Sequence, residues 1–275
     1  MTQGRGGRSR LRPLYRLWRW LQRHAAGIVF ALLGLWLARA VLSGAEGVGY
    51  DWQWYRVWCH LGRWTDGSFV PGPLLDGLGM TIRIALSGLA LAVGAGLGAA
   101  LLRLSPWAVG RGLAHAYIGC LRNTPLLLQL FFVYFLIAPM IGVGPFGAAV
   151  LALGLFEGAY MAELFRAGLQ SVPRAQWEAG ISLGLGAWGT LRMVVLPQAV
   201  RRILPPLTSQ LVSLIKDTSL VSAIAVADLT MQAQVVIADT FLAFEIWLVV
   251  AGLYLLLTLC VAVPARWLER RYGWG

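Results

Sequence analysis

The sequence contains few charged residues and a single lysine. Charged side chains make up 13% of the 275 residues and apolar ones 58%, whereas a soluble domain has roughly 25% and 45–50%. Several stretches carry no charge over a length that crosses a bilayer core, among them residues 84–102 and 246–265. The composition therefore excludes an ordinary soluble domain and predicts a membrane protein with several helical spans.

Cysteine and histidine are also scarce, at three residues each. Cys59, Cys120 and Cys260 lie too far apart for the ligand spacing of a zinc or iron–sulfur site. The histidines are equally dispersed, so spacing supports no Ser/His/Asp or Cys/His group. We therefore predict no catalytic residue, no metal site and no cofactor in this chain.

Acidic residues number 12 against 23 basic ones, and the two kinds separate along the chain. Seventeen arginines lie in four segments: residues 1–24, 103–111, 166–202 and 264–275. Those segments contain only two acids, Glu178 and Glu269, whereas the segments on the other side hold seven. The positive-inside rule then predicts six spans with both termini in the cytoplasm of a bacterial inner membrane. A nucleic-acid partner is excluded because the basic residues flank apolar runs and are not gathered on one surface.

The predicted organisation follows these composition changes. Residues 1–24 form a basic cytoplasmic tail and residues 25–43 a first span, or a signal sequence cleaved after the A-x-A of Ala38 and Ala40. Residues 44–76 form a tryptophan-rich outer segment. Its aromatic side chains indicate either the headgroup layer, which we favour, or contact with a soluble partner. Residues 77–263 form a five-span core, and residues 264–275 form a cytoplasmic tail.

The five core spans are predicted near residues 77–102, 113–138, 146–165, 203–227 and 246–263. Gly94 and Gly98 predict close helix packing in the first of these. The fourth contains Pro205–Pro206 and Lys216–Asp217, which predict a helix interrupted at both places. The fold is therefore predicted to be all-α.

The most specific pattern lies in residues 173–197, which read PRAQWEAGISLGLGAWGTLRMVVLP. Its Glu178, Ala179, Gly184 and Leu196-Pro197 resemble the EAA motif of bacterial ABC importer permeases, E-A-A-x3-G-x9-I-x-L-P. Gly180 replaces the second alanine and Val194 the isoleucine. The resemblance implies a short cytoplasmic coupling helix, within a loop at 166–202, that docks on a separate ATP-binding subunit.

The spacing of apolar residues agrees with a helix in this segment. Trp177, Ile181 and Leu185 recur every four residues and would line one face, which fits a groove on another protein or a lipid surface. The motif favours docking. The predicted coupling residues are Arg174, Trp177, Glu178, Ala179, Gly180, Ile181, Gly184, Leu196 and Pro197. Because no Gly-Lys-Ser/Thr sequence is present, ATP and Mg would bind to the partner chain.

Three further segments resemble the polar amino-acid permeases of the histidine, glutamine and glutamate type. Residues 122–129 (RNTPLLLQ) are similar to R-N/G-T-P-L-x-x-Q, residues 159–168 to A-Y-x-A-E-x-x-R-x-G, and residues 216–220 to K-D/N-[ST]-S-L. Residues 51–54 (DWQW) are similar to a D-W-N-W of glutamate/aspartate permeases, which favours acidic amino acids or their amides. The resemblance implies an amino-acid substrate, two ATP-binding subunits, a second permease that is identical or a sister chain, and an external binding protein.

Polar and ionisable residues within spans usually face a cavity or a bundle interior. The predicted substrate-path residues are Arg122, Asn123, Thr124, Gln129, Glu157, Tyr160, Glu163, Lys216, Asp217 and Ser219. Each has a structural alternative, such as a helix kink, an interfacial position or a neutralising pair. Two other functions are open at this point. One is an ion-coupled secondary transporter in which Glu157, Glu163 and Asp217 relay protons, and the other is a membrane scaffold without a path.

Overall fold

A computed structural model of the chain describes residues 49–65 and 67–271, together with isolated positions between 27 and 47. The chain divides into two units, Met1–Gln53 and Trp54–Gly275. In the first unit, the rings of Tyr50 and Trp52 meet edge to face at 5.4 Å. The predicted tail 1–24 and most of the predicted span 25–43 lie outside the described residues.

The second unit begins with an α/β segment that the predicted outer loop did not contain. It comprises a 3-10 turn (Trp54–Arg56), helix α1 (Trp58–Leu61) and an antiparallel hairpin of β1 (Gly62–Thr65) and β2 (Ser68–Pro71). The sequence Asp66-Gly67 is a strong hairpin signal because such turns need positive φ. Gly67 has φ +77°.

Helices make up the rest of the described chain, which confirms the predicted all-α class. They are α2 (Pro73–Leu104), α3 (Ala108–Arg122), α4 (Leu126–Ile141), α5 (Pro145–Gln170), α6 (Arg174–Ser182), α7 (Gly186–Thr190), α8 (Leu196–Asp217), α9 (Leu229–Thr240) and α10 (Ala243–Arg271). A π-helical turn (Leu191–Val195) joins α7 to α8, and a 3-10 helix (Thr218–Ile224) follows α8.

Within the described residues, α2, α5 and α10 are each long and apolar enough to cross a membrane. They contain the predicted spans 77–102, 146–165 and 246–263. Two bent helix pairs raise the number to five: α3 with α4, bent by 109°, and Gly186–Ile224 with α9, bent by 51°. The last predicted segment, 264–275, begins as a continuation of α10.

Two predicted span shapes were wrong. The span 113–138 is not continuous, because α3 ends at Arg122 and Pro125 directs the chain into α4 at a large angle. Conversely, α8 continues through Pro205 and Pro206. Each proline removes only one backbone hydrogen bond, which the rest of a 22-residue helix compensates. The predicted interruption at Lys216–Asp217 is confirmed, since α8 ends there.

Helices α2 and α5 pack closely through small residues, but on a different face from the one predicted. A Cβ on Gly96 would lie 2.9 Å from the Cβ of Met161 and 3.0 Å from the carbonyl oxygen of Gly158. Gly94 and Gly98 have no atom within 4 Å of such a Cβ. Because α2 is apolar on all sides, the G-x-x-x-G pattern alone could not indicate which face packs.

Different contacts hold the helices together at the two ends of the bundle. At the hairpin end, Val57 is buried with Leu74 of α2, Leu242 of the α9–α10 connection and Ile246 of α10. At the opposite end, which we call the arginine end, Glu163 of α5 forms ion pairs with Arg103 and Arg166. The apolar contact and the ion pairs each attach α2 to its neighbours.

Candidate functional site

Helix α6 is a nine-residue helix whose end is determined by a glycine. Gly184 has φ +78°, the left-handed region that other residues avoid. The N–H of Leu185 donates to the carbonyl of Gly180 at 3.3 Å and that of Gly184 to Ile181 at 2.9 Å. This is the Schellman arrangement that closes a helix C-terminus. The motif glycine therefore stops α6 after Ser182.

The apolar surface of this region differs from the predicted stripe. Trp177 is half-buried and packs against the cluster of Phe165, Val195 and Ile203. Leu185 lies beyond the end of α6. The residues that project are Ile181, Leu183 and Trp188, with 54%, 79% and 72% of their surface exposed. We call these three residues the coupling patch. Because α6 ends at Ser182, the patch has Ile181 on α6, Trp188 on α7 and Leu183 between the two helices.

The other predicted coupling residues surround this patch. Arg174, Glu178 and Ala179 are exposed on α6, and Leu196 and Pro197 are exposed at the start of α8. Gly180 alone is buried. A Cβ at Gly180 would lie 2.5 Å from Cγ2 of Thr190, which is itself buried. The glycine that departs from the motif thus allows α6 to approach α7.

Side-chain contacts attach α8 to α6 and to the end of α5. The Nε2 of Gln198 donates to Oε1 of Gln176 on α6 at 3.2 Å, and the guanidinium of Arg202 donates to the carbonyl of Ser171, which caps α5. Helix α8 then extends for 22 residues, which corresponds to roughly 33 Å at 1.5 Å per residue. A single helix therefore connects the contact with α6 to the far end of α8.

That far end lies against a buried carboxylate. Glu157 of α5 is fully buried, and its Oε2 accepts a hydrogen bond from the amide of Gln210 on α8. The carboxyl group of Asp217 lies close enough to interact with Glu157. Among the described residues, no partner reaches Oε1 of Glu157. A buried oxygen of this kind suits a ligand that donates a hydrogen bond or carries positive charge.

The remaining residues of the 216–220 segment shape the break after α8. Lys216 is exposed, whereas Asp217 is half-buried. The hydroxyl of Ser219 donates to the carbonyl of Lys216 at 2.7 Å. The hydroxyl of Thr218 donates to the carbonyl of Ile215, also at 2.7 Å. These hydroxyls satisfy carbonyls that lack helical partners where α8 stops. Ser219 therefore supports the backbone beside Asp217.

The break between α3 and α4 is held by three predicted path residues. Asn123 donates to the carbonyl of Gly119 at 2.7 Å, and Thr124 to that of Cys120 at 2.9 Å. The amide of Gln129 donates to the carbonyl of Leu121 at 2.8 Å and to the hydroxyl of Thr124 at 2.6 Å. These bonds replace the ones that Pro125 interrupts. Asn123, Thr124 and Gln129 thus maintain the bend.

The bend opens an apolar groove of about 540 Å³ between α3, α4 and α5. Leu128, Phe132 and Leu155 line it, and Thr124 and Gln129 supply its polar edge. The groove is wide enough for a side chain or a small polar molecule.

The last three predicted path residues take part in two separate contacts. The guanidinium of Arg122 lies 5.0 Å from the ring centroid of Tyr160, a cation–π distance. Glu163 accepts two bonds from Arg166, at 2.7 Å and 3.1 Å, besides its ion pair with Arg103. The structure thus brings together Glu157 and Asp217, Thr124 and Gln129, and Arg122 and Tyr160. It does not bring Glu163 into the Glu157 cluster.

Sequence reasoning missed Gln210 and Arg103. Gln210 lies 53 residues from Glu157, and no local pattern relates the two. Gln210 lies seven residues, or two turns, before Asp217 on the same helix, so the two share a face. That spacing was the available signal that Gln210 lies near the predicted path. Arg103 was counted only as a positive-inside charge.

The chain matches a known protein family and is similar to known permeases. Residues 88–274 match the family described as "Binding-protein-dependent transport system inner membrane component". The chain is similar to the glutamine transport system permease protein GlnP of Escherichia coli (strain K12), with 43% identity over 202 residues. The match covers 72% of this chain and 92% of that relative.

Two other similarities agree with it. The L-cystine transport system permease protein TcyB of Bacillus subtilis (strain 168) is 40% identical over 176 residues, which cover 62% of this chain and 74% of that protein. A crystal structure of an amino acid ABC transporter with histidines is 35% identical with a TM-score of 0.67, and the match covers 72% of this chain and 94% of that one.

Proposed function

We propose the following role for this chain, which belongs to the family of binding-protein-dependent transport system inner membrane components. It is a permease subunit of an ABC importer for polar amino acids. Its substrate is glutamine or a similar amino acid with a polar side chain, in keeping with the glutamine permease among its relatives. The observation that carries this role is the coupling patch on a short helix that Gly184 closes.

The coupling patch docks in a groove on a separate ATP-binding subunit. Ile181, Leu183 and Trp188 offer an apolar, partly aromatic surface, and Glu178 and Arg174 lie exposed on the same short helix. A helix that presents apolar side chains to a groove is a recurrent mode of protein recognition. ATP and Mg bind to the partner, and this chain performs no hydrolysis.

Movement of α6 reaches the membrane interior through α8. Gln198 joins the two helices through Gln176, and Gln210 lies further along α8 beside Glu157. When the ATP-binding subunits close, α8 shifts with α6 and alters the position of Gln210 against Glu157. The permease then changes which side of the membrane its path opens to.

Glu157 and Asp217 contact the substrate on this path. The unpartnered Oε1 of Glu157 accepts a hydrogen bond from the ammonium group of the amino acid. The carboxyl of Asp217 lies beside it at the end of α8, where the broken helix exposes backbone groups. Asn123, Thr124 and Gln129 hold the bend between α3 and α4, and Thr124 and Gln129 form the polar edge of the groove.

The complete importer contains two ATP-binding subunits, a second permease and an external binding protein. Both termini of this chain lie in the cytoplasm together with the arginine end, in accordance with the distribution of arginine. The hairpin end then faces outward, towards the binding protein that delivers the amino acid.

Uptake by the reconstituted importer tests this role. Proteoliposomes containing the complete importer, with the second permease, the ATP-binding subunits and the binding protein, should accumulate glutamine only when ATP is supplied on the side of the coupling patch. The double variant Leu183→Asp/Trp188→Asp should reduce that uptake at least tenfold, because charged side chains lose the apolar contact. As a matched control, Leu183→Met/Trp188→Phe should retain most of it. Uptake without nucleotide that follows a proton gradient would contradict the role and support a secondary transporter.

A further inference from the structure

The hairpin presents an aromatic face that the described residues leave uncovered. The register places Trp64 opposite Phe69, and their rings meet at 5.7 Å. Residues that are directly opposite lie on the same face, so these rings share one face with Gly62 while Arg63 and Val70 share the other. Both strands are exposed along almost all of their length. An isolated two-stranded hairpin is marginally stable in water, so its apolar face needs a cover.

The hairpin is fixed where α2 begins. The N–H of Gly72 donates to the carbonyl of Leu61 at 2.8 Å, and a Cβ at Gly72 would lie 3.0 Å from the carbonyl oxygen of Cys59. Helix α2 starts at the next residue, Pro73. Because α2 is long and apolar enough to cross a membrane, the hairpin directly precedes a candidate span.

Other exposed aromatic side chains lie at the same end. Those in residues 54–71, which we call the aromatic cap, are Trp54, Tyr55, Trp58, Trp64 and Phe69. Phe241 follows the end of α9, and Phe244 and Trp247 lie in the first turns of α10. Further along, α2 and α10 expose aliphatic residues such as Leu86 and Leu248. The aromatic surface therefore continues into surfaces that face lipid, as an interfacial belt does.

Residues 54–71 contain two arginines, Arg56 and Arg63, and one acid, Asp66, so their net charge is positive. Arg56 and Arg63 are exposed. Burial lowers the pKa of His60 below its usual 6.5 and Arg56 lowers it further, while Asp239 opposes the change. His60 is therefore neutral at pH 7, and the two arginines supply the charge. Their guanidinium groups match the phosphates of anionic phospholipids.

We propose that the aromatic cap is an interfacial anchor that binds anionic phospholipid. Its Trp64–Phe69 face lies at the boundary between headgroups and acyl chains, and Arg56 and Arg63 contact lipid phosphates. The continuity with lipid-facing α2 and α10 favours a membrane surface over a soluble protein as the occupant. This anchor does not depend on which substrate the importer carries or on its ATP-binding partner.

A fluorescent label at position 64 tests the location. The full chain, with Cys59, Cys120 and Cys260 replaced by serine, carries Trp64→Cys and is placed in nanodiscs of equal parts phosphatidylcholine and phosphatidylglycerol. The label should be quenched by lipid with a nitroxide near the headgroup and only weakly by iodide in the water. Leu86→Cys provides the deep-membrane reference and Ile181→Cys the water-exposed one.

The arginines are tested in the same labelled protein. Replacing both with glutamine should lower the preference of the position 64 signal for phosphatidylglycerol by about fivefold per arginine, since a basic residue near an anionic surface contributes ~1 kcal/mol. Arg174→Gln on α6 is the matched control and should leave that signal unchanged. A label at position 64 that iodide quenches as strongly as the one at 181, with no effect of lipid nitroxide, would overturn the anchor.

Discussion

The hairpin end and the coupling end of this permease are built on comparable pairs of glycines. Each has a glycine with positive φ at its turn, Gly67 at +77° and Gly184 at +78°, and the coupling end has a second one, Gly186 at +64°. Each also has one glycine against which a side chain packs, Gly62 beneath Phe69 and Gly180 beside Thr190. The local geometry is similar at both ends, yet the exposed surfaces differ in what surrounds them.

The surroundings indicate different partners. At the coupling end, the exposed residue Leu183 follows α6 and the exposed Trp188 lies on α7, both within the arginine-rich segment 166–202. At the hairpin end, Trp64 lies on a strand that leads directly into a membrane-crossing helix. Exposed apolar area alone therefore does not identify a partner, whereas the elements that continue from it do.

Replacing the positive-φ glycines with alanine should give the largest difference between the two ends, measured as ATP-dependent uptake. Gly184→Ala places a Cβ in a left-handed conformation at a cost of roughly 1–2 kcal/mol, and the end of α6 should shift. We expect a fivefold or larger loss of ATP-dependent uptake, with normal membrane insertion. Gly67→Ala carries the same backbone cost but lies far from the coupling patch in sequence and in the fold. It should leave uptake within twofold; equal losses in both variants would show that backbone strain, not docking, determines uptake.

Replacing Gly180 or Gly62, against which side chains pack, with alanine should give a smaller difference between the two ends. It is measured as the midpoint of thermal unfolding in detergent. Gly180→Ala drives a methyl group into buried Thr190, which is β-branched and has little freedom to move. Overpacking of this kind costs about 1–3 kcal/mol. In Gly62→Ala the nearest atoms belong to the outer edge of the exposed Phe69 ring, which can rotate away, and the carbonyl oxygen of Val70 lies at 3.0 Å, so the midpoint should fall less than in Gly180→Ala.

A second substitution separates crowding from other effects at Gly180. Thr190→Ala removes the obstructing methyl group and a hydroxyl that has no hydrogen-bond partner among the described residues. The double variant Gly180→Ala/Thr190→Ala should recover most of the lost stability. Additive losses in the double variant would instead mean that the contact between α6 and α7 is not what Gly180 protects.

The sequence predicted the coupling end better than the rest of the chain, for physical reasons. The motif of residues 178–197 is local, and Gly184 terminates α6 through bonds that span only five residues. The position of Trp177 was not predictable in the same way, because its packing depends on Phe165 and Ile203 from other helices. The α2–α5 packing face and the contact between Glu157 and Gln210 likewise depend on tertiary structure.

The hairpin end shows a signal that was present but overlooked. Asp66-Gly67 predicts a two-residue turn, but the flanking strands lack the alternation of apolar and polar residues that supports such a prediction. For α3 and α4, Pro125 indicated a boundary, whereas the 109° bend depends on the side chains of Asn123, Thr124 and Gln129. Local sequence located these features without giving their geometry.

Photocrosslinking from position 183 tests the central claim most directly. Leu183 is replaced by benzoylphenylalanine in the full importer, the sample is illuminated during ATP turnover, and the adducts are identified by mass spectrometry. The account predicts a covalent adduct between this chain and an ATP-binding subunit. Adducts with phospholipid alone throughout turnover would contradict it.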